Sequence, residues 1–106
     1  MKSFEDREKG FEAEFKRNQE LAFRVTARRN RLFGLWAAEK LGMPDDQRET
    51  YARTIVEADF EKPGDGDVIE KVRSDLGAGG IDLTEPQLRT ELDRAAVEAK
   101  RQLMEK

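Results

Sequence analysis

Residues 3–41 contain no proline, and their apolar positions recur at helical rather than alternating spacing, which predicts one long helix. Phe4, Phe11, Phe15 and Ala22 fall on one line at about 100° per residue. Leu21, Val25, Leu32 and Trp36 fall on a second line, displaced from the first by roughly 80°. A helix packed against a single core has no reason to shift its apolar stripe in this way. Two stripes predict two partners. The face bearing Leu21, Val25, Leu32 and Trp36 is assigned to the protein's own bundle, and the face bearing Phe4, Phe11 and Phe15 to another molecule. The break falls near residues 18–21, dividing an interaction segment, residues 1–19, from a helical bundle, residues 20–106.

Punctuation along the rest of the chain predicts three further helices. Ser3 followed by Asp6 is a start signal, and Gly42 followed by Pro44 is a stop. Asp45 and Asp46 open a second helix carrying Tyr51, Ile55, Val56 and Phe60, which ends at Lys62 before Pro63. The turn Pro63-Gly64-Asp65-Gly66-Asp67 supplies Asp65 or Asp67 as the next cap. A short third helix, apolar at Val68, Ile69, Val72 and Leu76, is broken by Gly77, Gly79 and Gly80. Thr84 and Gln87 form a capping box for the fourth, with Leu83 stapled onto Leu88. Leu88, Leu92, Ala95, Ala99 and Leu103 then make a narrow seam. Nothing alternates with period two, so the expected fold is all-α: a single-domain four-helix bundle with a long first helix and a short third.

Charge refines the long helix. The chain of 106 residues has a net charge of −3, weak grounds against general nucleic-acid binding. Residues 21–42 carry five basic and one acidic side chain, whereas residues 43–80 carry five and ten. Phe4, Phe11 and Phe15 stand among eleven charged residues up to Glu20, the pattern of a helix that lies in a partner's groove. A stripe so thin on a segment so charged, interrupted by Gly10, predicts an arm that frays when free and orders on binding.

Candidate chemistry is sparse. The chain has no cysteine or histidine, removing disulfides, thiolate chemistry, the usual zinc sites and the commonest general base. Asp65, Gly66 and Asp67 lack the remainder of a calcium loop and read as a turn with a helix cap. No metal, no cofactor and no catalytic apparatus is expected. The charged start and the lack of a long apolar run predict no signal peptide and no membrane insertion, hence a cytoplasmic protein. Arg24, Arg28 and Arg31 share one side of the first helix at i, i+4 and i+7, a row that suits a phosphate or an acidic protein face. With Trp36 or Tyr51 nearby it is a candidate adenine-nucleotide site, although Trp36 and Phe33 read first as core residues. Gly34, inside the helix, permits another backbone to approach closely.

Several blocks carry a resemblance. Residues 27–42, ARRNRLFGLWAAEKLG, are the most specific; residues 4–13, FEDREKGFEA, residues 58–61, ADFE, Pro63-Gly64-Asp65 and Asp67-Val68 support them in order. The chain resembles, end to end, the zeta-subunit family of ATPase inhibitors from alphaproteobacterial F-type ATP synthases. The resemblance implies a non-enzymatic four-helix regulator, peripheral to the inner-membrane complex. Its partners are then the α, β and γ subunits of the soluble catalytic head. It further implies that the N-terminal segment inserts as a helix into a catalytic α/β interface and blocks rotation during hydrolysis. The positions matching that segment are Phe4, Asp6, Arg7, Glu8, Phe11, Glu12 and Phe15. Two alternatives stay open: a nucleotide-binding sensor using Arg24, Arg28, Arg31 and Trp36, and a helical subunit of the same complex without inhibitory power.

Overall fold

The computed structural model of the protein describes the backbone of residues 3–104 and the side chains of residues 17–104. The chain forms four helices: α1, Ser3–Lys40; α2, Asp45–Glu61; α3, Asp65–Ala78; and α4, Glu85–Met104. Among the described residues there is no strand, and no helix is long and apolar enough to cross a membrane. The four helices run up, down, up and down. Trp36 near the end of α1 lines a groove with Gln87 near the start of α4, whereas Arg28 donates to Gln102 near the end of α4. Phe23 touches Phe60 in the last turn of α2, and Arg29 pairs with Asp65 at the start of α3. α1 packs most extensively on α2 and α4 and least on α3, its diagonal neighbour.

The core follows the sequence pattern in α3 and α4 and departs from it in α1. Val68, Ile69, Val72 and Leu76 are all buried, as are Leu88, Leu92, Ala95 and Ala99. On α1, however, the fully buried side chains are Asn30, Phe33, Ala37 and Ala38. Leu21, Val25, Leu32 and Trp36, the stripe assigned to the bundle, are half-buried, with Leu32 and Trp36 packed against the edge of the core. The reason is that α1 lies between two principal neighbours, so its deepest face is the one between them. Small residues are selected where backbones meet: a Cβ on Gly34 would stand 2.7 Å from the Ala52 Cα of α2. Phe33 also lies 18 residues, about five full turns, after Phe15, so the first aromatic line continues into the core. The displaced stripes therefore do not by themselves separate an inner face from an outer one.

Helix ends explain the remaining shape. α1 closes with a Schellman motif in which Gly42 (φ 73°) donates to Glu39 O and Met43 to Ala38 O, both at 3.0 Å. α3 closes the same way on Gly80 (φ 81°), with Ile81 N donating to Leu76 O at 2.8 Å and Gly80 N to Gly77 O at 3.0 Å. Gly77 therefore sits inside α3 rather than breaking it. The aspartates are first-turn residues rather than caps: Pro44 and Gly64 hold the N-cap positions of α2 and α3, without a side-chain cap. Asp45, Asp46, Asp65 and Asp67 face the helix dipole instead. The capping box of α4 is present, with Thr84 N donating to Gln87 Oε1 at 2.9 Å and Gln87 N to Thr84 Oγ1 at 3.3 Å. The side-chain cap expected at Ser3 lies outside the described residues.

Candidate partner-binding surface

The length of α1 creates the first half of the candidate surface. Its 38 residues span about 57 Å, while the 17 residues of α2 and 20 of α4 span about 26 and 30 Å. Both shorter helices end level with the middle of α1, at the Phe23–Phe60 contact and beside Arg24, Arg28 and Leu103. N-terminal to that level the described side chains, residues 17–20, are all exposed. Phe4, Asp6, Arg7, Glu8, Phe11, Glu12 and Phe15 are carried on this overhanging helix, and their side chains lie outside the described residues. What ends the bundle along α1 is the stopping of its neighbours, not a jump between stripes.

The second half lies where the bundle ends. Phe23 and Phe60 are 55% and 61% exposed, yet their rings meet edge to face with centroids 5.2 Å apart. Beside them is a cleft of ≈ 190 Å³ lined by Phe23, Ala27, Val56 and Phe60, with Asn30 and Asp59 at its polar side. Asn30 is fully buried. Its Oδ1 accepts from Arg29 Nε and Nη2 at 3.1 and 2.9 Å, and its Nδ2 has no partner among the described residues. Arg29 in turn pairs with Asp65 at 3.0 Å. Asp59 Oδ1 accepts from Gly64 N at 3.3 Å, so that carboxylate is engaged by the protein's own turn.

The arginine row stands on the other side of Phe23. Arg24, Arg28 and Arg31 line one shallow groove with Phe23, Val56 and Leu103, as their spacing predicts. Their electrostatic states differ. Arg31 Nε donates to Glu49 Oε2 at 3.1 Å, and its Nη2 pairs with Glu49 as well. Arg28 donates to Gln102 Oε1 at 3.0 Å, while Gln102 Nε2 donates to Glu98 at 3.1 Å. Glu98 also accepts from Arg101, and these hydrogen bonds, Arg101's foremost, hold its carboxyl down at about 2. Arg24 has no hydrogen-bond or ion-pair partner among the described residues and is exposed.

The structure does not bring Trp36 to that row. Its ring stacks on Phe33, centroids 5.7 Å apart and 7° from parallel, with Lys40 above it, in a separate groove with Leu83 and Gln87. Tyr51 belongs elsewhere again: its hydroxyl donates to Asp75 Oδ2 at 2.8 Å, and Lys71 donates to the same oxygen at 3.3 Å. Burial first, then the Asp75 hydrogen bond and charge, push the Tyr51 phenol well above its ordinary 10. No group of metal-ligating side chains occurs among the described residues. Phe23 and Phe60 are the site residues the sequence reading missed. The available signal was Phe23's position off both apolar stripes.

The family model for ATPase inhibitor subunit zeta matches residues 1–102, nearly the whole chain. The chain belongs to this family. Among solved structures it is similar to a protein determined by solution NMR, with 43% sequence identity and a TM-score of 0.67. That match covers 77% of this chain and 93% of the other. No curated protein sequence gives a significant match. In this chain's four-helix frame, the overhanging part of α1 adjoins the aromatic and basic end of the bundle.

Proposed function

We propose that this zeta-family subunit inhibits ATP hydrolysis by an F-type ATP synthase through residues 1–19. That segment inserts as a helix into a catalytic α/β interface of the head, beside the γ shaft, and blocks rotation, while residues 20–106 hold it in place. The observation that carries the reading is the overhang of α1 beyond α2 and α4. Residues 3–18 form a helix of about 24 Å, long enough to enter a subunit interface from the head's surface. The helix bears an aromatic stripe at Phe4, Phe11 and Phe15, with Asp6, Arg7, Glu8 and Glu12 beside it, a composition suited to groove binding. Ordering such a segment costs roughly 1–2 kcal/mol per residue in backbone entropy. Anchoring it to a folded bundle at one end limits how much of that cost falls on the interface.

The sensor alternative has less support, because Trp36 stands apart from the arginine row and Arg28 and Arg31 are engaged within the bundle. The deciding experiment is an ATPase assay on the cognate head with the full chain and with a chain lacking residues 1–18. The truncated protein should keep the circular dichroism of a folded bundle and lose inhibition. Undiminished inhibition by the folded truncation rejects the wedge. No inhibition by the full chain leaves the helical-subunit alternative.

A further inference from the structure

We infer that the bundle end around Phe23, Phe60 and Arg24 is a second docking site, which seats an acidic segment of the synthase head bearing a protruding apolar side chain. The inference deepens the proposed function and rests on it for the partner's identity. Two large aromatic side chains, each more than half exposed, are held together at one rim of the bundle. Single exposed apolar residues are ordinary, but a paired aromatic patch beside a cleft of ≈ 190 Å³ is a shape that receives a side chain. A volume of that order accommodates one aliphatic or aromatic group.

Charge selects the rest of the partner. Arg24, Arg28 and Arg31 extend from Phe23 along α1. Glu49 offsets Arg31, and Asp59 faces the cleft while accepting from Gly64. Arg24 is exposed without a partner among the described residues, and Arg28 is held in position by Gln102. The row therefore retains positive charge at Arg24 and Arg28, of which Arg28 is already oriented by Gln102, and this favours a carboxylate-bearing surface. Aromatic and arginine side chains are the types that concentrate binding energy at interfaces.

Continuity supplies the third argument. Phe23 and Arg24 stand on α1 within two turns of the overhang that the proposed function sends into the head. A partner gripping residues 1–19 therefore brings its surface up to this rim. The two contacts adjoin along one continuous helix, so the rim sets where the wedge points. Docking at both raises affinity through effective concentration rather than through a larger wedge.

The test uses full-length chain and purified cognate head, with binding and ATPase inhibition measured in parallel. Phe23→Ser with Phe60→Ser, and separately Arg24→Glu with Arg28→Glu, are first checked by circular dichroism and thermal melting. Both should raise the dissociation constant and the half-inhibitory concentration by roughly tenfold or more, with full inhibition still reached at saturation. The arginine pair should also flatten the salt dependence of binding. A photo-crosslinker at position 60 should label a head peptide rich in Asp and Glu. Binding within about twofold of wild type in both folded variants overturns the inference. So does a crosslink from position 60 to a second copy of this chain. Binding of ADP at Arg24 and Arg28 that excludes the head reassigns the row to nucleotide and overturns it too. The wedge fails by a different result, inhibition that survives loss of residues 1–18, and the position-60 readout does not depend on it.

Discussion

Two glycine-to-alanine substitutions test whether α1 and α2 approach as closely as the structure places them. Gly34 and Gly77 both lie inside helices, so alanine is intrinsically preferred at each by up to about 1 kcal/mol. Their surroundings differ. A Cβ at Gly34 would stand 2.7 Å from the Ala52 Cα, 3.1 Å from Ile55 Cγ1 and 3.2 Å from the Ala52 Cβ. The nearest of these atoms is backbone, so relief requires α1 and α2 to part, and overpacking of that kind costs about 1–3 kcal/mol. A Cβ at Gly77 would meet nothing within 4 Å. Gly77→Ala should therefore stabilise by about 0.5–1 kcal/mol, and Gly34→Ala should destabilise by a net 1 kcal/mol or so. Urea unfolding followed by circular dichroism reads both, and Trp36, the single tryptophan, adds a fluorescence probe packed against the same core. For a domain of this size the two midpoints should differ by about 1 M or more. If Gly34→Ala is as stable as Gly77→Ala, the close approach is absent and the reasoning is refuted.

Other expectations follow from single contacts. Tyr51 is the chain's one tyrosine, so phenolate absorbance reports it alone. Its native midpoint should lie above 10, because burial and Asp75 favour the neutral phenol. In the unfolded chain it ionises near 10, so the unfolded state binds fewer protons above that pH. The stability contribution is then complete below pH 10 and declines as pH rises toward the native midpoint; a native midpoint at 10 would contradict this account. Arg29→Ala leaves the buried Asn30 amide without the partner of its Oδ1 and should cost about 1–3 kcal/mol. Asp65→Ala, which removes only a half-exposed ion-pair partner, should cost under about 1 kcal/mol by the same denaturation assay. Thr84→Ala removes one half of the α4 capping box and should cost about 0.5–2 kcal/mol, with Thr84→Ser recovering most of it.

Much of the fold is legible in particular residues. The seam of Leu88, Leu92, Ala95 and Ala99 has helical period, and its residues are buried in the structure. Val68, Ile69, Val72 and Leu76 behave likewise, and Gly42 ends α1 in the left-handed conformation that only glycine adopts without cost. The arginine row is legible as well, because i, i+4 and i+7 positions share a helix face wherever the helix packs. The buried face of α1 is not. Hydrophobic periodicity weights large side chains, whereas apart from Phe33 that face is built of Asn30, Gly34, Ala37 and Ala38, with Gly34 at the close crossing of α2. Phe60 reads as core by type and is exposed because α2 stops where the bundle does.

By itself the sequence determined the number and order of helices, their principal stops, the lack of thiol and imidazole chemistry, and a family resemblance carried by residues 27–42. These are local properties: dihedral preference, periodicity and residue type act over a few turns and need no knowledge of neighbours. Only the tertiary structure decided which face of α1 is inside, and that Tyr51 of α2 meets Asp75 rather than Arg24 and Arg28. It alone also decided that Phe23 and Phe60 meet at an open rim from which α1 continues past the ends of α2 and α4. Those outcomes depend on where α2 and α4 end relative to α1, a relation between segments distant in the chain that no local pattern encodes.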